Sequence, residues 1–485
     1  MKDLSADPLV NASDAEPRRS TITVDSLEAP YIVAHRGGVQ LGPEHAMATY
    51  QAAVKYTPLI EQDVNLLPDG TLAIMHDDTV SRTATGTGEV INFPPHQWKS
   101  LTLKGSTYHK NYPDIVNGCL TLDEVFVHFL HQDVVFVVEA KPRVNKTDAC
   151  AAVVALARQY KLEDRVIIQG WDLETLQPAL DAGFDAMYLW SANSTGVPTP
   201  SAMVAAGVKW AAPSTGITGE VMQTYVNAGL KLTPWTLHRQ YEMEYLSGYG
   251  VQGCFSNDPA YMCGDTSKYQ RKSSNFGAGI PDVGMSIPKG VNDSGAIYLA
   301  SRDTDINSGT VFGTDTGGYI SSKGCQFQTI SHGYLCPLPN TYTLKIKGAY
   351  DTGALGTTRW FSIYLGLHDT NFMNGDTGPS GEIKGKGLGY HILFRNNGVI
   401  DIYKVTNDVA GSSAIATASG SFPASTWIQC TVTVSPTKIT ASNGTATATT
   451  TDTAHRPLPY VSTLFNRSLA TVSSGDFYIA DLQIS

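Results

Sequence analysis

Residues 31–64 read YIVAHRGGVQLGPEHAMATYQAAVKYTPLIEQDV. The run YIVAH (31–35) is short, apolar and β-prone, and it breaks at a Gly pair. EHAMATYQAAVKY (44–56) follows with apolar residues at helical spacing, and LIEQDV (59–64) returns to a strand. The same alternation continues through VVFVVEA (134–140), RVIIQGW (165–171), AMYLW (186–190), VKWAAP (208–213), LKLTPWT (230–236) and VQGCFS (251–256). The helical runs between them include DACAAVVALARQY, LETLQPALDAG, SAMVAAG, EVMQTYVNAG and RQYEMEYLSGYG. Several end in Gly, the usual helix stop. Repeated strand–helix units predict a parallel sheet. Eight of them predict a closed (β/α)8 TIM barrel over residues 30–262. The alternative, an open doubly wound sheet, lacks a GxGxxG turn.

Residues 66–131 interrupt the rhythm. TLAIMHDD follows a P-D-G turn as a further strand, then comes a Gly/Thr-rich, aromatic loop before LTLDEVFVHFLH resumes a helix. A long excursion of this kind is usually functional. Residues 1–29 carry no apolar leader segment and read as a flexible N-terminal arm, and residues 263–285 read as a polar linker. Over 286–485, Gly, Ser and Thr dominate and strand-like runs alternate; N-N-G (396–398) and S-N-G (442–444) are hairpin signals. This half predicts an antiparallel jelly-roll β-sandwich.

The net charge of −10 over 485 residues argues against nucleic acid as a partner, and an anionic ligand would need local cations or a metal. No run is long enough to span a membrane. Seven cysteines, at 119, 150, 254, 263, 325, 336 and 430, show no CxxC spacing and read as buried thiols, with Cys325–Cys336 the one bridge left open. No heptads support a coiled coil.

Barrel active sites form at the C-terminal strand ends. His35 and Arg36 end the first strand, Glu61 and Asp63 the second, and Glu139 and Lys141 the next, while His76 ends the excursion strand. Residues two apart on a strand share a face. Three converging carboxylates suit a hard divalent cation, Ca2+ or Mg2+. Arg36 and Lys141 supply positive charge for an anion, and two His side chains can work as general base and acid. The combination points to phosphodiester cleavage; glycoside hydrolysis needs two carboxylates and no His pair. Trp171, Trp190 and Trp235 fall at or near strand ends and are candidates for the pocket wall.

The pattern H-R-G-G-x4-P-E, E-x-D, H-D and E-x-K resembles the glycerophosphodiester phosphodiesterase family over roughly residues 31–262. That resemblance implies a (β/α)8 barrel, a divalent metal on Glu61, Asp63 and Glu139, catalysis by His35 and His76, and phosphate contacts from Arg36 and Lys141. Glu44 matches the acid of the family's Pro-Glu-Asn element and supports or joins the metal site. Three departures stand out. His45 replaces the Asn, the late W-T segment ends in His238, and the last strand ends in Ser-Asn-Asp-Pro. They bear on the alcohol side of the substrate rather than on the reaction.

The second half is similar in pattern to concanavalin-like and laminin-G-like modules, which implies glycan binding, with Trp360, Tyr390 and Trp427 as candidate stacking residues. Together the halves suggest an extracellular or virion-associated enzyme, of phage tail depolymerase type, cleaving a phosphodiester-containing surface polymer such as teichoic acid or capsule. A homotrimer is in keeping with that setting. The competing readings are a metabolic enzyme for small diesters such as glycerophosphocholine, a phospholipase-D-like lyase, and an adhesin with a relic barrel.

Overall fold

The computed structural model describes residues 20–105, 113–141, 147–237, 240–265, 340–350, 360–366, 388–406 and 409–455, with separate strands elsewhere from residue 273 onward. His109, His238, the Cys325–Cys336 pair and most of the 263–285 linker lie outside the described residues.

The first half is built from β1 (Tyr31–Ala34), β2 (Leu59–Leu66), β3 (Leu72–Ile74), β4 (Val135–Ala140), β5 (Val166–Gly170), β6 (Asp185–Trp190), β7 (Trp210–Pro213), β8 (Lys231–Leu232) and β9 (Gly253–Ser256). The helices are α1 (Met47–Ala53), α2 (Pro95–Ser100), α3 (Leu122–Phe129), α4 (Asp148–Tyr160), α5 (Leu173–Asp181), α6 (Pro200–Ala205), α7 (Gly219–Asn227), α8 (Gln240–Ser247) and α9 (Pro259–Met262). Eight strands pair in parallel in the order β8-β7-β6-β5-β4-β2-β1-β9. Backbone hydrogen bonds from Phe255 N to Pro234 O and from Leu237 N to Phe255 O, both 2.9 Å, join the two ends into a barrel. The expected strand of the excursion is β3, which folds back antiparallel on β2 with Val64 opposite Ile74. It lies outside the ring and delivers His76 to its rim.

The strands are buried on both faces, so they read as continuous apolar runs. The pleat sorts them. Val33, Leu59, Val135, Val137, Ile167, Met187 and Leu189 fill the barrel interior. Ile32, Ile60, Phe136, Val138 and Ile168 pack outward with residues of the helices. Helices α5, α6 and α7 are followed by Gly183, Gly207 and Gly229 at φ of +80°, +90° and +96°, a left-handed turn that a side chain would strain.

Residues 20–29, counted with the arm in the sequence, close the barrel floor. Val24 is buried with Tyr31 and Trp210, and its N–H donates to Asp164 O at 2.8 Å. Lys231 lies over the Trp210 ring, 4.6 Å from its centroid, and the Trp210 indole donates to Asp185. The excursion has a small core of its own around Trp98, Val80, Val90 and Leu103.

The second half forms two antiparallel sheets, consistent with a sandwich. Leu344, Ile346 and Val432 of one sheet share a core with Phe361, Ile363, Ile392 and Phe394 of the other. The Tyr350 hydroxyl crosses between them, donating to Phe394 O and accepting from Phe361 N at 3.0 Å. The N-N-G hairpin is present, with Gly398 at φ +85°. Tyr390 is fully buried in this core and Trp360 is 9% exposed, so neither is an open stacking platform. Trp427 is half-buried. Cys119, Cys150, Cys254 and Cys430 are buried free thiols, while Cys263 is exposed. Among the described residues, no helix is long and apolar enough to cross a membrane.

One buried cation ties the barrel together. Arg165, 4% exposed, donates to Phe129 O, Leu130 O, Gln132 O and Val134 O at 2.6–3.1 Å. These carbonyls end α3 and lead into β4, where a cation complements the helix dipole. Arg165→Met should lower the unfolding free energy by about 2–4 kcal/mol, since charge-assisted hydrogen bonds are lost and carbonyls are left bare. Urea denaturation of the variant against the wild type measures it.

Candidate active site

Inward positions of β2, β4 and β5 keep their parity past the apolar layer, and there the side chains become polar. Glu61, Asp63, Glu139 and Gln169 continue the face that carries Leu59, Val137 and Ile167. Asp63 lies opposite Glu139 in register, and Glu139 opposite Gln169. Each of Glu61, Asp63 and Glu139 brings a carboxylate oxygen within 4.8 Å of the others, and all three are buried.

The turn after β1 wraps this cluster. Arg36 adopts φ +52° between His35 and the Gly pair. That conformation aims its N–H at Glu61 Oε2, 2.5 Å away. Its guanidinium reaches Glu44 at 3.4 Å and Asp63 at 3.7 Å. His35 Nδ1 lies 2.7 Å from Asn257 Oδ1. Since that oxygen can only accept, Nδ1 carries the proton and Nε2 is left with its lone pair. His76 Nδ1 lies 2.8 Å from Asp77 Oδ1, with the same consequence for its tautomer.

The electrostatics are divided. Burial, then Asp63 and Glu139, push the Glu61 carboxyl well above its usual range, although Arg36 works against them. Burial also opposes charge on Asp63, but Lys141, the His45 hydrogen bond and Arg36 outweigh it and hold that carboxyl well below its usual range. Burial and the Arg36 cation hold His35 down at about 3, so its ring is neutral at pH 7. Burial also lowers His76, with Asp63 opposing.

His35, Arg36, Glu61, Asp63, His76 and Glu139 line one pocket, together with Gln169, Trp171, Leu189, Trp235 and Phe255. Trp171 is 38% exposed, its indole donates to Glu139 Oε1 at 3.0 Å, and its ring meets Trp235 edge-on at 5.7 Å. Two sequence expectations need correction. Trp190 is not on this wall: the pleat turns Leu189 inward and Trp190 outward, where it packs 4.9 Å from Tyr225. Lys141 does not line the pocket either. Its ammonium is buried on Glu139 at 2.5 Å and Asp63 at 2.8 Å, a counter-ion behind the carboxylates rather than an open phosphate contact.

Glu44 stands outside the carboxylate triad. It is 1% exposed and held by two hydrogen bonds from Arg82, at 2.8 and 3.0 Å. Arg82 also grips Asp77 at 2.6 and 2.9 Å, so one guanidinium links the His76 corner to the loop after β1. Sequence reasoning missed Arg82, Asp77, Asn257, His45 and Gln169. His45 and Asn257 left a trace there as departures from the family pattern, and Asp77 as the acid of its H-D element. His45, at φ +58°, accepts from Tyr50 OH at 2.7 Å and donates to Asp63 Oδ2 at 3.0 Å.

The donor set fits a divalent metal. Three carboxylate oxygens converge, all hard ligands, and their mutual repulsion is only partly offset by Lys141 and Arg36.

The model of the glycerophosphoryl diester phosphodiesterase family matches residues 35–261. The glycerophosphodiester phosphodiesterase of Caldanaerobacter subterraneus subsp. tengcongensis is 29% identical over 241 residues, which are 47% of this chain and 94% of that protein. A glycerophosphodiester phosphodiesterase of Bacillus subtilis is 28% identical over 250 residues, 47% of this chain and 83% of that protein. Among solved structures, a phosphodiesterase of Oleispira antarctica in complex with the product sn-glycerol-3-phosphate is similar at 23% identity and a TM-score of 0.43, covering 48% of this chain and 95% of the other. Residues 35–261 are thus a domain of the glycerophosphoryl diester phosphodiesterase family, whose members are phosphoric diester hydrolases.

Proposed function

We propose that this pocket hydrolyses glycerophosphodiesters, with Glu61, Asp63 and Glu139 holding a divalent cation, Ca2+ or Mg2+, and His35 and His76 moving the protons. The observation that carries this reading is the meeting of three buried carboxylates and two imidazoles, each oriented by a partner on Nδ1, on one pocket. When bound, the cation supplies charge stabilisation for the non-bridging oxygens of the phosphodiester.

The chain's own groups do the rest. Asn257 holds His35 with Nε2 free to accept a proton from the attacking hydroxyl, and burial keeps that ring unprotonated and ready. His76 is the better acid. Its side chain is 37% exposed, and Asp77 beside it stabilises the imidazolium that would donate to the leaving alkoxide. Arg36 faces the pocket and offers charge to the phosphate, while Lys141 keeps the carboxylates from repelling one another.

A second reading concerns the substrate's size. The barrel alone aligns with 94% of the Caldanaerobacter enzyme, so the sandwich is an addition to that protein's plan. A second module is useful to an enzyme acting on a surface polymer, where it would hold glycan near the barrel. This supports a preference for a teichoic-acid-like or capsular phosphodiester over free glycerophosphocholine, in an extracellular or virion-associated protein.

Wild-type protein should release phosphate ester from glycerophosphocholine with Ca2+ or Mg2+ and lose that activity with chelator. His35→Ala and His76→Ala should each lower kcat by about 10²–10⁴-fold; activity within a few-fold of wild type would remove the His pair from the mechanism. Calorimetric melting should show the cation raising Tm, by about 2.7 kcal/mol of stability at a hundred times Kd. The Glu61→Gln, Asp63→Asn double variant should show no such shift. On purified glycerol-phosphate teichoic acid, kcat/KM per bond should exceed that on glycerophosphocholine; the reverse order would favour the small-diester enzyme.

A further inference from the structure

Gln169 lies on the pocket wall and belongs to none of the motifs above. It sits on β5, in register with Glu139 on one side and Met187 on the other, and it is 2% exposed. Its amide nitrogen is buried without a hydrogen-bond partner. Leaving such a group unpaired costs stability that an apolar side chain of the same size would not. Its neighbour on the wall is engaged, since Glu139 accepts from both Lys141 and Trp171.

The amide's chemistry narrows what it is for. It is neutral, so it adds no charge to a wall on which Arg36 already supplies a cation. It can both donate and accept, which matches a hydroxyl. Its place is equally specific. Around the barrel the wall runs from carboxylates on β2 and β4, to this amide on β5, to Leu189 on β6. A phosphodiester whose phosphorus lies at the carboxylates would carry its alcohol across β5.

We propose that Gln169 is a specificity-determining residue that binds a free hydroxyl of the glycerol moiety, so that the site prefers polyol-bearing phosphodiesters over those with bare or aromatic alcohols. This rests on the reading of the pocket as a glycerophosphodiester site.

The test uses the full chain with a divalent cation and two probes, sn-glycerol 3-phosphate and inorganic phosphate, by titration calorimetry. Gln169→Leu should weaken glycerol 3-phosphate about ten-fold or more and leave phosphate within two-fold. Gln169→Met should behave alike. The Tm of the free variants should hold or rise, because an unpaired buried amide has been replaced by an apolar group, whereas a structural role would lower it. Equal loss on both probes would make Gln169 a phosphate contact, and no loss on either would make it a bystander; each overturns the inference alone. If wild-type protein binds neither probe and does not cleave glycerophosphocholine, the diesterase reading falls and the inference with it.

Discussion

Three carboxylates lie side by side at the end of an apolar barrel, and much of the molecule is arranged to permit that. Burial raises the cost of each charge, and each raises it for the others. The chain answers with buried cations and donors: Lys141 on two of the acids, the Arg36 N–H on Glu61, His45 on Asp63 and the Trp171 indole on Glu139. The left-handed backbone at Arg36 and His45 follows from the same need, because both residues must turn back toward β2. A divalent cation would complete the balance at Glu61, the carboxyl least compensated by the protein itself.

The barrel turns this expense into geometry. Parallel strands packed on both faces hold their inward positions in fixed register, so residues distant in sequence meet at one rim. The β3 hairpin adds the one catalytic candidate that the ring does not carry, His76, and Arg82 clamps that corner to the loop after β1 through Asp77 and Glu44. Rigid support of this kind suits proton transfer, which fails when donor and acceptor drift by an ångström.

Much of this was legible in the sequence. The eight barrel strands fall where the apolar runs lie, and α4 spans the 148–160 run. Those runs are continuous rather than alternating because both faces are buried. The charged pairs Glu61/Asp63 and Glu139/Lys141 were legible for a related reason: charge inside an apolar run has few structural excuses. What the sequence misread were outcomes of the pleat and of charge pairing. Whether Leu189 or Trp190 faces the pocket depends on strand parity around the ring, and Lys141 finds two carboxylates before any phosphate.

By itself, then, the sequence determined the barrel, the antiparallel second half, the acidic triad and the two histidines. Those follow from local periodicity and from motif spacing, which the chain carries in one dimension. The tertiary structure alone decided that Asn257 and Asp77 set the histidine tautomers, that Arg82 joins two loops, that residues 20–29 close the floor, and that Gln169 meets the site with an unpaired amide. Each of these depends on a separation along the chain, or on a side-chain direction, that no local pattern encodes. A hydrogen bond needs its partner within about 3 Å, and only the closed ring brings Asn257 that near to His35.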